Sequence, residues 1–69
     1  MNIMVNGRER EVPEEATVAD VIRLLGHTVE GRGIAAARNG EVVNRRSWSE
    51  MSVEEGDRVE ILGAVQGGC

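Results

Sequence analysis

Met1-Asn2-Ile3-Met4-Val5-Asn6-Gly7-Arg8-Glu9-Arg10-Glu11-Val12 decides the first half of the fold, because two short runs meet at Asn6-Gly7. Asn-Gly is the preferred pair of a two-residue type I′ turn, in which both central residues take positive φ. The run before it alternates apolar and polar residues imperfectly, and the return run carries its charges on outer positions. The stretch therefore reads as a β-hairpin. Pro13-Glu14-Glu15-Ala16 breaks the pairing and leads to Thr17. Thr17 is an N-cap candidate, with Asp20 three positions on as an acidic variant of the capping box. Val18, Val21, Ile22 and Leu25 recur at i, i+3, i+4 and i+7, the single-face pattern of an amphipathic helix. Leu24 is expected to widen that stripe, and Gly26 is placed to end the helix at C′.

Beyond the helix, His27 to Gly33 contains two glycines and no period, and reads as a loop. Ile34 to Arg38 is a short strand of small residues, too short for an independent helix. Asn39-Gly40 predicts a second tight turn into Glu41-Val42-Val43. Asn44 to Met51 is polar around Trp48, whose ring is expected to cap the core with its indole N–H on a backbone carbonyl. Glu55-Gly56-Asp57 is a turn. From Asp57 to Leu62 the pattern alternates, with Val59 and Ile61 facing one way and Arg58, Glu60 and Leu62 the other. The expected class is α+β, a mixed sheet of about five strands with one helix on one face. This is the β-grasp order of ubiquitin-like domains. The predicted division is a domain over residues 1–63 and a flexible tail over residues 64–69.

The totals narrow the function. Sixty-nine residues make one small domain, which has little core to spare for an enclosed catalytic pocket. Trp48 is the one aromatic residue and the net charge is -4. Base stacking and phosphate binding are both poorly served, so no nucleic-acid partner is expected. All eight basic residues are arginine. This excludes lysine acylation and ubiquitin-type chain building on the chain's own side chains, although a GC-rich coding sequence produces the same bias. One cysteine and one histidine make neither an internal disulfide nor a thiolate metal site, and His27 is expected to be a solvated loop residue. Glu54, Glu55 and Asp57 could be cast as a cation site, but are expected to be a solvated loop. No signal-peptide pattern opens the chain and no stretch has membrane-spanning length. The expected location is the cytoplasm, without a membrane partner. No supported Ser/His/Asp set, HExxH or P-loop is present, and Gly31-Arg32-Gly33 lacks the context of a nucleotide loop. The chain is not expected to be an enzyme.

The chemistry that remains lies in Gly63-Ala64-Val65-Gln66-Gly67-Gly68-Cys69. Successive glycines put no side chain beside the backbone, so Gln66, Gly67 and Gly68 could thread a narrow channel in a partner. A carboxylate at Gly68 is unreactive until adenylated. Its acyl-adenylate can then be attacked by a sulfur nucleophile to give a thiocarboxylate.

The sequence resembles the ThiS/MoaD group of ubiquitin-like sulfur carriers over essentially its whole length. The matching pieces begin with Val5-Asn6-Gly7, Thr17-Val18-Ala19-Asp20-Val21 and Arg38-Asn39-Gly40-Glu41-Val42-Val43. They continue with Arg46-Ser47-Trp48, Glu55-Gly56-Asp57-Arg58-Val59-Glu60-Ile61 and Ala64-Val65-Gln66-Gly67-Gly68. The last piece is the most specific and is closer to ThiS than to molybdopterin carriers. The resemblance implies adenylation of Gly68 by a ThiF-like enzyme, which uses the ATP; the carrier itself binds no cofactor. It also implies a sulfur donor protein and delivery through thiazole synthase or another sulfur-accepting synthase. Leu62 and Val65 are the implied docking residues for the activating enzyme. The alternative is a protein modifier conjugated through Gly68, and a third possibility is a non-covalent adaptor.

Two positions depart from the family pattern. Asn44 stands where proline is frequent, in a turn. Cys69 follows the di-glycine, and while it is attached the Gly68 carboxyl is an amide that cannot be adenylated. Three explanations stand open. A JAMM-type metalloprotease of a specialised sulfur-metabolite pathway removes Cys69; the residue was introduced by engineering; or its thiol is retained and used.

Overall fold

The computed structural model describes residues 1–27 and 33–63. Five strands and one α-helix follow in the order β1 (Asn2–Val5), β2 (Arg8–Glu11), α1 (Val18–Leu24), β3 (Ile34–Arg38), β4 (Glu41–Val43) and β5 (Arg58–Gly63). A 3-10 turn over Arg45–Ser47, not foreseen in the sequence, lies between β4 and β5. Both Asn-Gly pairs make the tight turns read for them. Asn6 and Asn39 each have φ 52°, and Gly7 and Gly40 have φ 84° and 87°.

The sheet order is β2-β1-β5-β3-β4. The last strand thus sits in the middle, parallel to β1 (Met4 opposite Arg58, Val5 opposite Val59) and antiparallel to β3 (from Ile34 opposite Gly63 to Arg38 opposite Val59). Residues 6–17 supply the return to the opposite face, where α1 lies. Thr17 is the N-cap: its hydroxyl accepts from the Asp20 N–H at 3.2 Å, and Asp20 Oδ2 accepts from the Thr17 N–H at 2.9 Å. A bridge between Thr17 and Ser52 ties this cap to the segment before β5.

The helix buries Val18, Ala19, Val21 and Ile22 against Ile3, Val5, Val12, Ala36, Val43, Trp48, Val53, Val59 and Ile61. The expected stripe is therefore corrected at one edge. Leu24 is 46% exposed, Leu25 packs on the core rim, and Ala19 takes the inward place. Trp48 fills the largest buried volume, and its Nε1–H donates to the Val43 carbonyl at 3.0 Å. Val53, which had no role in the sequence reading, is as buried as Trp48. Among the described residues no helix is long and apolar enough to cross a membrane.

Candidate functional site

The site is built around β5, because β5 delivers the chain to residues 64–69. Those residues, and so Val65, Gln66, Gly67, Gly68 and Cys69, lie outside the described set, as do residues 28–32 of the predicted loop. What the structure places is the strand that leads to them and the platform around it.

Two asparagine side chains hold that platform. The β1 ladder reaches β5 through Met4 N–H to the Asp57 carbonyl at 2.8 Å and Asn6 N–H to the Val59 carbonyl at 2.9 Å. The hairpin turn then takes β1 away, and the Asn6 side-chain amide continues the ladder in its place. Asn6 Oδ1 accepts from Ile61 N–H at 2.8 Å, and Asn6 Nδ2 donates to the Ile61 carbonyl at 3.1 Å. From the other side Asn39 Oδ1 accepts from Arg58 N–H at 2.9 Å, and Asn39 Nδ2 donates to Asp57 Oδ1 at 3.0 Å. Asparagine is thus used twice over at each turn, once for its tolerance of positive φ and once as a peptide mimic.

Asp57, at the entry to β5, is 7% exposed, which corrects its reading as part of a solvated acidic loop. Its Oδ2 accepts from Arg38 Nε at 2.7 Å and from the Glu54 N–H at 2.7 Å. Burial by itself raises the carboxyl pKa. The hydrogen bonds from Arg38, Asn39 and the Glu54 backbone, with the Arg38 charge, outweigh it and leave the pKa below its ordinary 3.8. This is a structural ion pair. Among the described residues no group of three or more His, Cys, Asp or Glu could hold a metal ion.

The outer sheet face, opposite α1, carries the exposed apolar surface. Leu62 is 71% and Val42 80% exposed. With Ala35, Ala36, Ala37 and Glu60 they line a shallow open groove across β4, β3 and β5. The register explains the cluster: Ala35 lies opposite Leu62, and Ala37 opposite both Val42 and Glu60. Leu62 is therefore not covered by the chain's own described residues. Sequence reasoning named Leu62 but missed Val42, Ala35 and Ala37. The signal was present in Val42-Val43, since two adjacent strand residues face opposite ways.

At the root of the tail His27 is half-buried rather than solvated, which corrects that expectation. A Cβ on Gly63 would lie 2.9 Å from His27 Cε1. Glycine at the end of β5 is what lets the imidazole lie against the strand.

A mixed five-strand sheet backed by one helix, with the last strand central and its end leading into the tail, is the ubiquitin-like β-grasp. The chain matches the model of the ThiS family over residues 3–68. It belongs to that family and is a ThiS-like sulfur carrier. The crystal structure of the thiamine biosynthesis protein ThiS from Geobacter metallireducens superposes with a TM-score of 0.77 at 31% identity, covering 99% of this chain and 100% of that one. A solution structure of a thiamine biosynthesis protein from the same organism gives 0.78 at 30% identity, covering 100% and 90%. SAMP1 from Haloferax volcanii shares the fold, with a TM-score of 0.59 at 21% identity and 97% of each chain covered. A thiazole synthase from Paramagnetospirillum magneticum is 35% identical over 68 residues, 99% of this chain. The chain spans about a fifth of that relative's length, 20%.

Proposed function

We propose that this chain carries sulfur as a thiocarboxylate on Gly68 for thiazole formation in thiamine biosynthesis or for a related sulfur-containing metabolite. One observation carries the reading: the family match runs through Gly68 and stops before Cys69. The residue whose carboxyl the chemistry needs is the last one that behaves like the family. A thiazole synthase relative that contains a stretch like this chain supports the choice of acceptor.

The steps follow from carboxylate chemistry. Hydrolysis of the Gly68–Cys69 peptide bond, the work of a protease of JAMM type, exposes the carboxylate. A ThiF-like enzyme adenylates it, with ATP losing pyrophosphate. A sulfur nucleophile at the oxidation level of sulfide, supplied by a donor protein, then displaces AMP. This chain supplies the Gln66-Gly67-Gly68 sequence as a handle without bulky side chains at its glycines, and the groove at Leu62 and Val42 as the surface on which the partner seats. Apolar burial at the groove stabilises the complex.

Intact mass of untagged protein from producing cells tests the reading. The expected species ends at Gly68 with one oxygen replaced by sulfur. A chain that retains Cys69 throughout active production would overturn it. Isopeptide conjugates to other proteins, without a thiocarboxylate, would point to protein modification instead.

A further inference from the structure

We propose that Asn6 and Asn39 are deamidation sites kept closed by the side-chain bonds that hold β5, and that Asn6 is the one that opens first. The chemistry proposed for Gly68 plays no part in it.

Of the four asparagines in the chain, Asn6 and Asn39 are followed by glycine. An asparagine in that setting can react with its own backbone. The amide nitrogen of the glycine attacks Cγ of the asparagine and gives up its proton, and the side-chain nitrogen leaves as ammonia. The succinimide that results takes up water at one of its two carbonyls. Opening at one carbonyl leaves aspartate. Opening at the other leaves isoaspartate, with the main chain rerouted through the side-chain carbon. Glycine favours the ring closure because no Cβ crowds its nitrogen. By either route a neutral amide becomes a carboxylate.

The attack needs Cγ turned onto the glycine nitrogen and aligned with it. The fold points both side chains elsewhere. Ile61 N–H donates to Asn6 Oδ1 at 2.8 Å, and Asn6 Nδ2 donates to the Ile61 carbonyl at 3.1 Å. Asn39 is fixed at both polar atoms in the same way, by Arg58 N–H on Oδ1 at 2.9 Å and by Asp57 Oδ1 accepting from Nδ2 at 3.0 Å. Both asparagines are exposed, so these bonds, rather than burial, are what protects them. Having to break two neutral hydrogen bonds lowers the population of reactive rotamers by roughly tenfold or more.

The two locks differ in strength. Both bonds of Asn6 are neutral, and Ile61 keeps its place through β3, where it lies opposite Ala36. The Asn6 side chain can therefore swing away while β5 stays in the sheet, and water can take up the freed Ile61 groups. Asn39 instead has one bond to an ionised carboxylate, and such bonds are about twice as strong as neutral ones. Asp57 is also buried, so departure of Asn39 takes a donor from a carboxylate that water reaches poorly. Local opening is thus expected at least about fivefold more often at Asn6 than at Asn39. The product at position 6 loosens β5 in turn. Aspartate there still accepts from Ile61 N–H, but it sets an oxygen against the Ile61 carbonyl where a nitrogen donated.

The test uses the full chain in mildly alkaline buffer, folded and in parallel unfolded in urea, with peptide mapping by mass spectrometry at intervals. Each site's folded rate is taken relative to its own unfolded rate, which removes the influence of flanking residues. Folding is expected to slow both sites at least about tenfold, and Asn39 at least about fivefold more than Asn6. Folded rates equal to unfolded ones would overturn the proposal, since the bonds would then protect neither site. Equal protection of the two sites, or greater protection of Asn6, would overturn it as well. Urea below the unfolding transition should leave the Asn6 rate unchanged, because a local opening exposes little surface. An Asn6 rate that climbs with each increment of urea would mean reaction through unfolding of the whole chain, and would sink the local lock.

Discussion

Truncating Leu62 to alanine separates docking from folding. Leu62 is 71% exposed in the free chain, so most of the transfer free energy of its side chain is still available to a partner. Complete burial of a leucine is worth about 1.5–3 kcal/mol. Scaled by the exposed fraction, seating Leu62 in an apolar pocket contributes about 1–2 kcal/mol, or roughly five- to thirtyfold in affinity. Removing an exposed side chain that no core residue leans on should change folding stability by less than about 0.5 kcal/mol. Leu62→Ala should therefore weaken binding to the proposed ThiF-like partner by that factor in calorimetry, and raise its KM in ATP–pyrophosphate exchange, with Tm unchanged. Val42→Ala should act in the same direction, since Val42 is 80% exposed and lines the same groove. Leu24→Ala, an exposed leucine on the helix face, is the control and should leave binding unaltered. Binding of Leu62→Ala within twofold of wild type, or an equal loss in Leu24→Ala, would refute the assignment of the outer sheet face as the docking surface.

Asn6→Gly keeps the positive φ of the turn but removes both bonds to Ile61; it should cost about 1–3 kcal/mol in denaturant unfolding, a loss a purely conformational role for Asn6 would not produce. Asp57→Asn should destabilise by about 2 kcal/mol at neutral pH, since the charge opposite Arg38 is lost and the new amide nitrogen faces a donor where an oxygen now accepts. Because the folded-state pKa of Asp57 is depressed, its stabilisation is fully present above the unfolded-state value near 3.8 and is lost as pH falls through the lower folded-state value. Wild type should thus lose its advantage over the variant below pH 3.8, read as converging Tm values. Thr17→Ala should cost about 1 kcal/mol through the lost cap, with partner binding unchanged, since the cap lies on the face away from the groove.

How much was legible depended on how local the cause was. Asn6-Gly7 and Asn39-Gly40 announced their turns because positive φ at two successive positions is a property of the dipeptide itself. Thr17 and Asp20 announced the helix start because cap and box sit three residues apart. Val59 and Ile61 were separated from Arg58, Glu60 and Leu62 because a strand has period two. The edge of the helix stripe was less certain. Leu24 and Leu25 are adjacent and chemically identical, and only the packing of Ala19 and Ile22 decides which of them turns inward. Asp57 was misread because its charge suggests solvent, while the groups that neutralise it come from Arg38 and Asn39, about twenty positions away.

The amino-acid sequence determined the five strands and the helix, the helix start, the two Asn-Gly turns and the faces of β5, and it suggested the di-glycine chemistry proposed for the tail. These follow from backbone dihedral preferences, side-chain periodicity and the reactivity of a carboxyl group, which act over a few residues. Tertiary structure alone decided that β5 lies between β1 and β3, that Asn6 and Asn39 hold it, and that Val42 and Ala35 join Leu62 in one groove. It alone made β5 parallel to β1 and antiparallel to β3. Pairing partners and strand direction depend on how all the apolar faces are buried together, and no single stretch of the chain carries that information.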